Sequence, residues 1–283
     1  MGAVTSLGFG TDEIWKSMVS GKTGIRELST IDTSEYKTKV GSEVDSNRLT
    51  ETLKGYNFRS YDRAVDLALV ASAQALEQAD LGSPWEPKNI PVIMGTGVGA
   101  AGSLFAANSA LHQKGLKGIR PTTVPRCMAN AISSQISLQM RLSGINYVVV
   151  SACTSSTIAI GLACRMINDG YADTVLCGGA DSFFDPLVFG AWNQLGVMSQ
   201  NPEADKACRP FDANRDGCVL GEGAAVLVLE SSDTARARGV NVLAEIIGYG
   251  ESSDAKHITS PDPEGQTKAM MAALSSAGVS PSD

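Results

Sequence analysis

The chain has 283 residues, 43% of them hydrophobic and 19% charged, with a formal net charge of −7. At roughly 100–200 residues per domain this is one large domain or two small ones, and the composition excludes a disordered tail, a coiled coil and a general nucleic-acid binder. The longest apolar runs, such as 147–152, fall far short of the about 20 residues that span a bilayer. No N-terminal stretch has the basic, apolar, small-residue layout of a signal peptide, so no membrane span and a cytoplasmic location are expected.

In chain order, strand-like runs alternate with helical ones. Residues 62–79 read as an alanine-rich helix, and 90–95 (IPVIMG) as a buried strand ending in the glycine turn 95–99 (GTGVG). A helix over 129–142, a strand over 147–152 (YVVVSA) and a helix over 154–169 follow. Three further strands are expected at 174–177, ahead of Gly178 and Gly179, at 224–229 and at 243–247. This alternation predicts an α/β fold with helices on both faces of the sheet, and the continuously apolar strands predict a sheet buried on both sides. A faint repeat links 75–81 (ALEQADL) to 273–279 (ALSSAGV), each at a helix end.

Charge is unevenly placed. No Asp or Glu lies between Glu86 and Asp169, a stretch that holds Lys88, Lys114, Lys117, Arg120, Arg126, Arg141 and Arg165, so its +7 leaves −14 for the rest. Two readings compete: largely buried core with a few surface cations, or a local basic face for an acidic partner. The six cysteines are Cys127, Cys153, Cys164, Cys177, Cys208 and Cys218. None form a C-x-x-C pair and no histidine lies close enough in sequence to complete a metal cluster, so they read as reduced thiols, mostly small buried hydrophobes, with at most one reactive.

The reactive candidate is Cys153. It sits where a buried strand turns into a helix, in the segment NYVVVSACTSS at 146–156. The first N–H groups of a helix have no internal partner, and its dipole places partial positive charge there. A thiolate at such a site is stabilised, and the same N–H groups can hold the oxyanion formed when a thioester is attacked. Ala152, Thr154, Ser155 and Ser156 are small and leave room for a substrate. Spacing alone leaves open a buried cysteine at a crowded turn, and the flanking glycines of a G-x-S-x-G elbow are absent.

The sequence resembles the β-ketoacyl-acyl-carrier-protein synthases, the condensing enzymes of fatty acid and polyketide synthesis. The resemblance rests on GAVTSLG at 2–8, GTGVG at 95–99, Val124-Pro125, SACTSS at 151–156, GGAD at 178–181, RPFD at 209–212 with Arg215-Asp216-Gly217, GEGA at 221–224, Ser253-Asp254-Ala255 and His257. It implies the thiolase-like five-layered α-β-α-β-α fold, built of two duplicated halves. Residues 1–240 would form the first half without its first strand, and 241–283 the truncated start of the second. It implies that Cys153 accepts an acyl group from a carrier-protein thioester and that its own N–H is one oxyanion donor, in ping-pong covalent catalysis with no cofactor in the chain beyond the carrier's phosphopantetheine arm. It places Val98, Thr123 and Trp192 along the acyl channel, Thr123 across a homodimer interface, and Arg59, Arg63, Lys117, Arg120 and Arg126 as a docking set for an acidic acyl carrier protein.

The sequence also departs from the family. The H-G-T and G-H-x-x-G motifs that supply two catalytic histidines are absent, and the first would fall about ten residues beyond Asp283. His112 reads as a surface residue and His257 as structural or pocket-lining. A non-catalytic ketosynthase-like partner subunit, disfavoured by Cys153, and a coenzyme-A-dependent thiolase, disfavoured by SACTSS and by D-x-x-R-D-G at 212–217, are the alternatives.

Overall fold

The computed structural model describes residues 1–81, 86, 88–257 and 259–282. Its strands are β1 (Gly2–Thr5), β2 (Gly8–Phe9), β3 (Arg26–Glu27), β4 (Val40–Gly41), β5 (Val92–Gly95), β6 (Asn146–Val149), β7 (Thr174–Asp181) and β8 (Gly223–Glu230). Its helices are α1 (Thr11–Val19), α2 (Ser46–Gly55), α3 (Arg63–Gln78), α4 (Ala101–Lys114), α5 (Thr123–Cys127), α6 (Ala131–Met140), α7 (Ser155–Asn168), α8 (Pro186–Leu195), α9 (Ala204–Ala207), α10 (Ser232–Arg238) and α11 (Pro263–Ala277).

Six strands form the main sheet in the order β2-β1-β8-β7-β5-β6. β5 pairs in parallel with β6 and β7, while β8 runs antiparallel to β7 and β1. Parallel neighbours need a crossover long enough to return the chain, and α4 to α6 and then α7 supply the two that link β5, β6 and β7. α3 and α6 cover one face of the sheet and α7 the other. All four β5 residues are buried, as a strand covered on both faces requires. Twelve of the 16 α3 residues are buried; its alanines let β1 and β8 approach, and its leucines and valines fill the core with Ile132, Ile136 and Met140 of α6. Asp62 starts α3 by accepting from the Ala64 N–H, and it also accepts from the Ser103 N–H and hydroxyl, stapling α3 to α4.

Gly2–Thr5, the start of the GAVTSLG block, forms β1, which pairs antiparallel with Gly223–Val226 and, through Val4 and Thr5, with β2. One expectation is corrected. Residues 243–247 do not form a strand. They belong to a segment that passes between α7 and α11: a Cβ on Gly161 of α7 would strike the Tyr249 ring, and those on Gly248 and Gly250 would strike Ala273 and Ala269 of α11. Strand geometry needs a hydrogen-bonding neighbour, and none lies beside this segment among the described residues. The layer order is therefore α3 with α6, the sheet, α7, the 241–250 segment and α11. The repeated helix ends also match in geometry. The Leu81 N–H reaches the Leu76 carbonyl and Asp80 that of Glu77, as the Val279 N–H reaches Leu274 and Gly278 reaches Ser275, the closing pattern of a left-handed helix cap.

Candidate active site

Cys153 is exposed at the turn between β6 and α7, with Thr154 as the N-cap of the helix. The turn is strained: Ala152 takes φ +49°, a left-handed conformation that costs a residue with a Cβ roughly 1–2 kcal/mol. One side chain offsets this. The Ser155 hydroxyl accepts from the Ser151 N–H at 2.7 Å and donates to the Ala152 carbonyl at 2.7 Å, closing a ring around the cysteine. Each such bond contributes about 1 kcal/mol net, enough together to match the strain. The Thr154 hydroxyl adds a bond to the Ser151 carbonyl at 2.8 Å.

The elbow rests on two glycines paired in register, Gly95 of β5 and Gly179 of β7. A Cβ on Gly95 would lie 2.3 Å from the Ser155 carbonyl carbon, and one on Gly179 would lie 2.6 Å from the Ser156 Cβ. Both strands thus lack side chains where the first turn of α7 settles on the sheet, which brings the helix N-terminus and Cys153 to the sheet's carboxyl end. Beside it opens a cavity of 480 Å³ floored by Gly178, Gly179, Gly223, Ala224 and Ala225, with Ile160 and Leu227 as its larger apolar walls and Asp181 at its rim.

The other cysteines differ. Burial pushes the thiols of Cys127, Cys164 and Cys177 up and holds them protonated. Cys208 and Cys218 are exposed, but Cys208 follows the short α9 and the Cys218 thiol donates to the Val197 carbonyl at 3.4 Å. Among the described residues no group of three or more His, Cys, Asp or Glu is placed to hold a metal ion. A larger open groove of 910 Å³ lies along α1 and the end of α3; it contains no cysteine, and its Glu13 is already paired with Arg48.

The structure does not bring Val98, Thr123 and Trp192 into the cavity that holds Cys153. Val98 lies on the 95–99 loop, Thr123 begins α5, and Trp192 packs edge-on against Phe183 beside a second apolar cluster of Leu28, Ile31, Phe184, Phe189, Met198 and Leu220. His112 is exposed on α4, and exposed His257 accepts the Thr259 N–H, away from the cavity.

The basic set divides. Arg59, Lys117 and Arg120 are exposed. Arg63 is corrected to a core-pairing residue: its guanidinium donates to Glu222 at 2.7 Å, to the Val44 carbonyl and to Ser46, and the Glu222 side chain is fully buried. Arg126 is likewise committed, lying 4.3 Å over the Tyr61 ring and donating to the Tyr61 carbonyl. Sequence reasoning missed Ser155 and Asp181 as organisers of the site. Ser155 stands four residues after Ser151, the one local signal available, whereas the partners of Asp181 lie more than 80 residues earlier.

The model of the β-ketoacyl synthase N-terminal domain matches residues 1–235. A 3-oxoacyl-[acyl-carrier-protein] synthase 2 of Staphylococcus aureus is 34% identical over all of this chain and 71% of its own length, and the synthase of the same name from Synechocystis is 33% identical over 99% of this chain and 68% of its own. Among solved structures, the ishigamide ketosynthase/chain length factor superposes with a TM-score of 0.87 at 28% identity, over 99% of this chain and 68% of its own. A β-ketoacyl synthase from Burkholderia phymatum superposes with a TM-score of 0.84 at 29% identity, over 98% and 69%. With its exposed cysteine at the elbow between sheet and helix, this chain belongs to the β-ketoacyl synthase family and has the thiolase-like fold.

Proposed function

We propose that the chain is the nucleophile-bearing part of a β-ketoacyl-acyl-carrier-protein synthase, in which Cys153 takes an acyl group from a carrier-protein thioester. The observation that carries this is the exposed Cys153 on a strained elbow at the N-terminus of the 14-residue α7, beside a cavity. The Cys153 thiolate attacks the thioester carbonyl, a bond forms between its sulfur and the carbonyl carbon, and charge moves onto the oxygen. The N–H groups of the elbow face that oxyanion, the Cys153 N–H being one donor. Collapse breaks the bond to the arm sulfur, which leaves as a thiolate and takes up the proton that Cys153 gave away.

In the condensation that follows, a malonyl carrier thioester loses CO₂ and its carbanion attacks the acyl-Cys, giving a β-ketoacyl product longer by two carbons. Neither His112 nor His257 reaches the cavity, and we assign no residue of this chain to that step. The phosphopantetheine arm is part of the substrate. Arg59, Lys117 and Arg120 are the carrier-facing cations, Arg63 and Arg126 being committed inside the protein. Two copies are inferred to associate through the exposed edge of β6. No described helix is long and apolar enough to cross a membrane, and six unpaired cysteines fit a cytoplasmic setting.

The test is acyl loading. Incubated with a medium-chain acyl-carrier thioester, the protein should gain one acyl mass on the peptide holding Cys153, and Cys153→Ala should gain none. Labelling that persists in Cys153→Ala would overturn the assignment.

A further inference from the structure

The 95–99 loop after β5 is wrapped around a single carboxylate. Asp181, the last residue of β7, accepts the Thr96 hydroxyl at 2.8 Å and the Val98 N–H at 3.1 Å through Oδ1, and the Gly97 N–H at 2.9 Å through Oδ2. Thr96 is buried, and its hydroxyl in turn accepts the Gly99 N–H at 2.9 Å. One side chain therefore fixes four consecutive residues. The loop also runs beside the elbow: the Thr96 N–H donates to the Val149 carbonyl at 3.0 Å, at the end of β6, and a methyl group on Gly97 would come within 3.8 Å of the Ala152 carbonyl oxygen. That is the carbonyl the Ser155 hydroxyl bonds, on the residue that holds the left-handed strain. Charge-assisted bonds to backbone N–H groups are about twice as strong as neutral ones, so the Asp181 carboxylate holds this loop more firmly than neutral bonds would.

We propose that Asp181 is a positioning residue for Cys153. Its carboxylate locks the Thr96–Gly99 loop, and the loop buttresses the Ala152 carbonyl, so the elbow keeps its strained shape and aims the cysteine and the following N–H groups at one point. Asp181 lines the same cavity as Cys153 and takes no bond to the substrate in this role. The part that concerns acyl transfer rests on the function proposed above; the mechanical part does not.

Two measurements separate them. Hydrogen exchange read by mass spectrometry on Asp181→Ala should show faster exchange in peptides covering 95–99 and 151–156 together, with α3 and β8 as protected as before. Faster exchange confined to 95–99 would overturn the proposal, because the loop would then move without the elbow. In acyl loading, the limiting first-order rate of Cys153 acylation should fall about 10- to 100-fold with the half-saturating concentration of the carrier thioester unchanged, Asp181→Asn should recover part of the loss, and the pH midpoint for alkylation by iodoacetamide should stay where it is. A loss of apparent affinity as large as the loss of rate, or no loss, would overturn it. If Asp181→Ala fails to fold, Thr96→Val removes the hydroxyl link alone and should loosen the same two segments. A wild-type protein that never acquires an acyl group sinks the assigned activity and leaves the exchange comparison to decide on Asp181.

Discussion

Asp66 shows how burial sets chemistry one residue at a time. It lies in the first turn of α3 at 7% exposure, and desolvation pushes its carboxyl up to about 6. Bonds from the Ser60 hydroxyl at 2.6 Å and the Tyr61 N–H at 2.8 Å, and the nearby Arg126, pull the other way, while Asp62 adds to the rise. The native state thus keeps this proton at a pH where the unfolded chain has released it. Stability from this group is full below the unfolded value near 3.8 and is lost as pH rises through about 6. Asp66→Asn keeps an acceptor for Tyr61 and removes the titration. Its unfolding free energy relative to wild type should rise by a few kcal/mol between pH 4 and pH 7, at about 1.4 kcal/mol for each tenfold difference in proton affinity between the folded and unfolded states, as measured by urea unfolding at several pH values. A difference that stays flat across that window would show that Asp66 is not the titrating group.

At the scale of elements, the site depends on how closely α7 can settle on β5 and β7. Gly95→Ala places a Cβ 2.3 Å from a backbone carbon of α7, so the helix must shift or the strand must bend. Overpacking of this kind costs about 1–3 kcal/mol, and at roughly 2–4 °C per kcal/mol the midpoint of thermal unfolding should fall by about 2–12 °C, with slower alkylation of Cys153 by iodoacetamide. Gly55→Ala, whose Cβ meets nothing, is the control and should hold or gain stability. An unchanged midpoint in Gly95→Ala would mean that the helix does not rest on the strand. The same contact explains what the residue pattern could and could not reveal. Helices 62–79, 129–142 and 154–169 were legible because their caps and apolar spacing are local, and the observed α3, α6 and α7 lie within those bounds. β7 runs four residues further than its apolar core because the ladder with β8 carries Gly178 through Asp181 along. Residues 243–247 have strand composition, but a strand is completed by a neighbour, and composition does not record whether one is present. Cys153 was legible from its position at the end of a strand. Asp181 was not, since its role exists only once β7 and β5 are side by side.

Across the whole molecule, the two edges of the sheet differ. β2 is two residues long and is covered by α1, a short and protected edge of the kind that resists pairing. β6 is longer and open, with Tyr147 at 53% and the adjoining Val150 at 56% exposure. It lies inside the acid-free stretch, where Leu104, Leu116, Val124 and Leu138 are exposed as well. Of the two readings of that stretch, neither suffices alone: β5 and one side of α6 are core, Lys117 and Arg120 are surface cations, and between them runs apolar surface. Apolar surface beside an open strand edge fits a second copy of the same chain, since antiparallel pairing of two β6 strands about a two-fold axis would extend the sheet and bury both edges at once. Light scattering after gel filtration at tens of micromolar should therefore give twice the 29.5 kDa chain mass. Tyr147→Glu sets like charges close together across that axis, with no acidic residue in the surrounding stretch for wild-type repulsion to start from. It should run as a monomer and retain the wild-type far-ultraviolet spectrum. A wild-type monomer at that concentration, or a Tyr147→Glu dimer of undiminished affinity, would move the association away from β6.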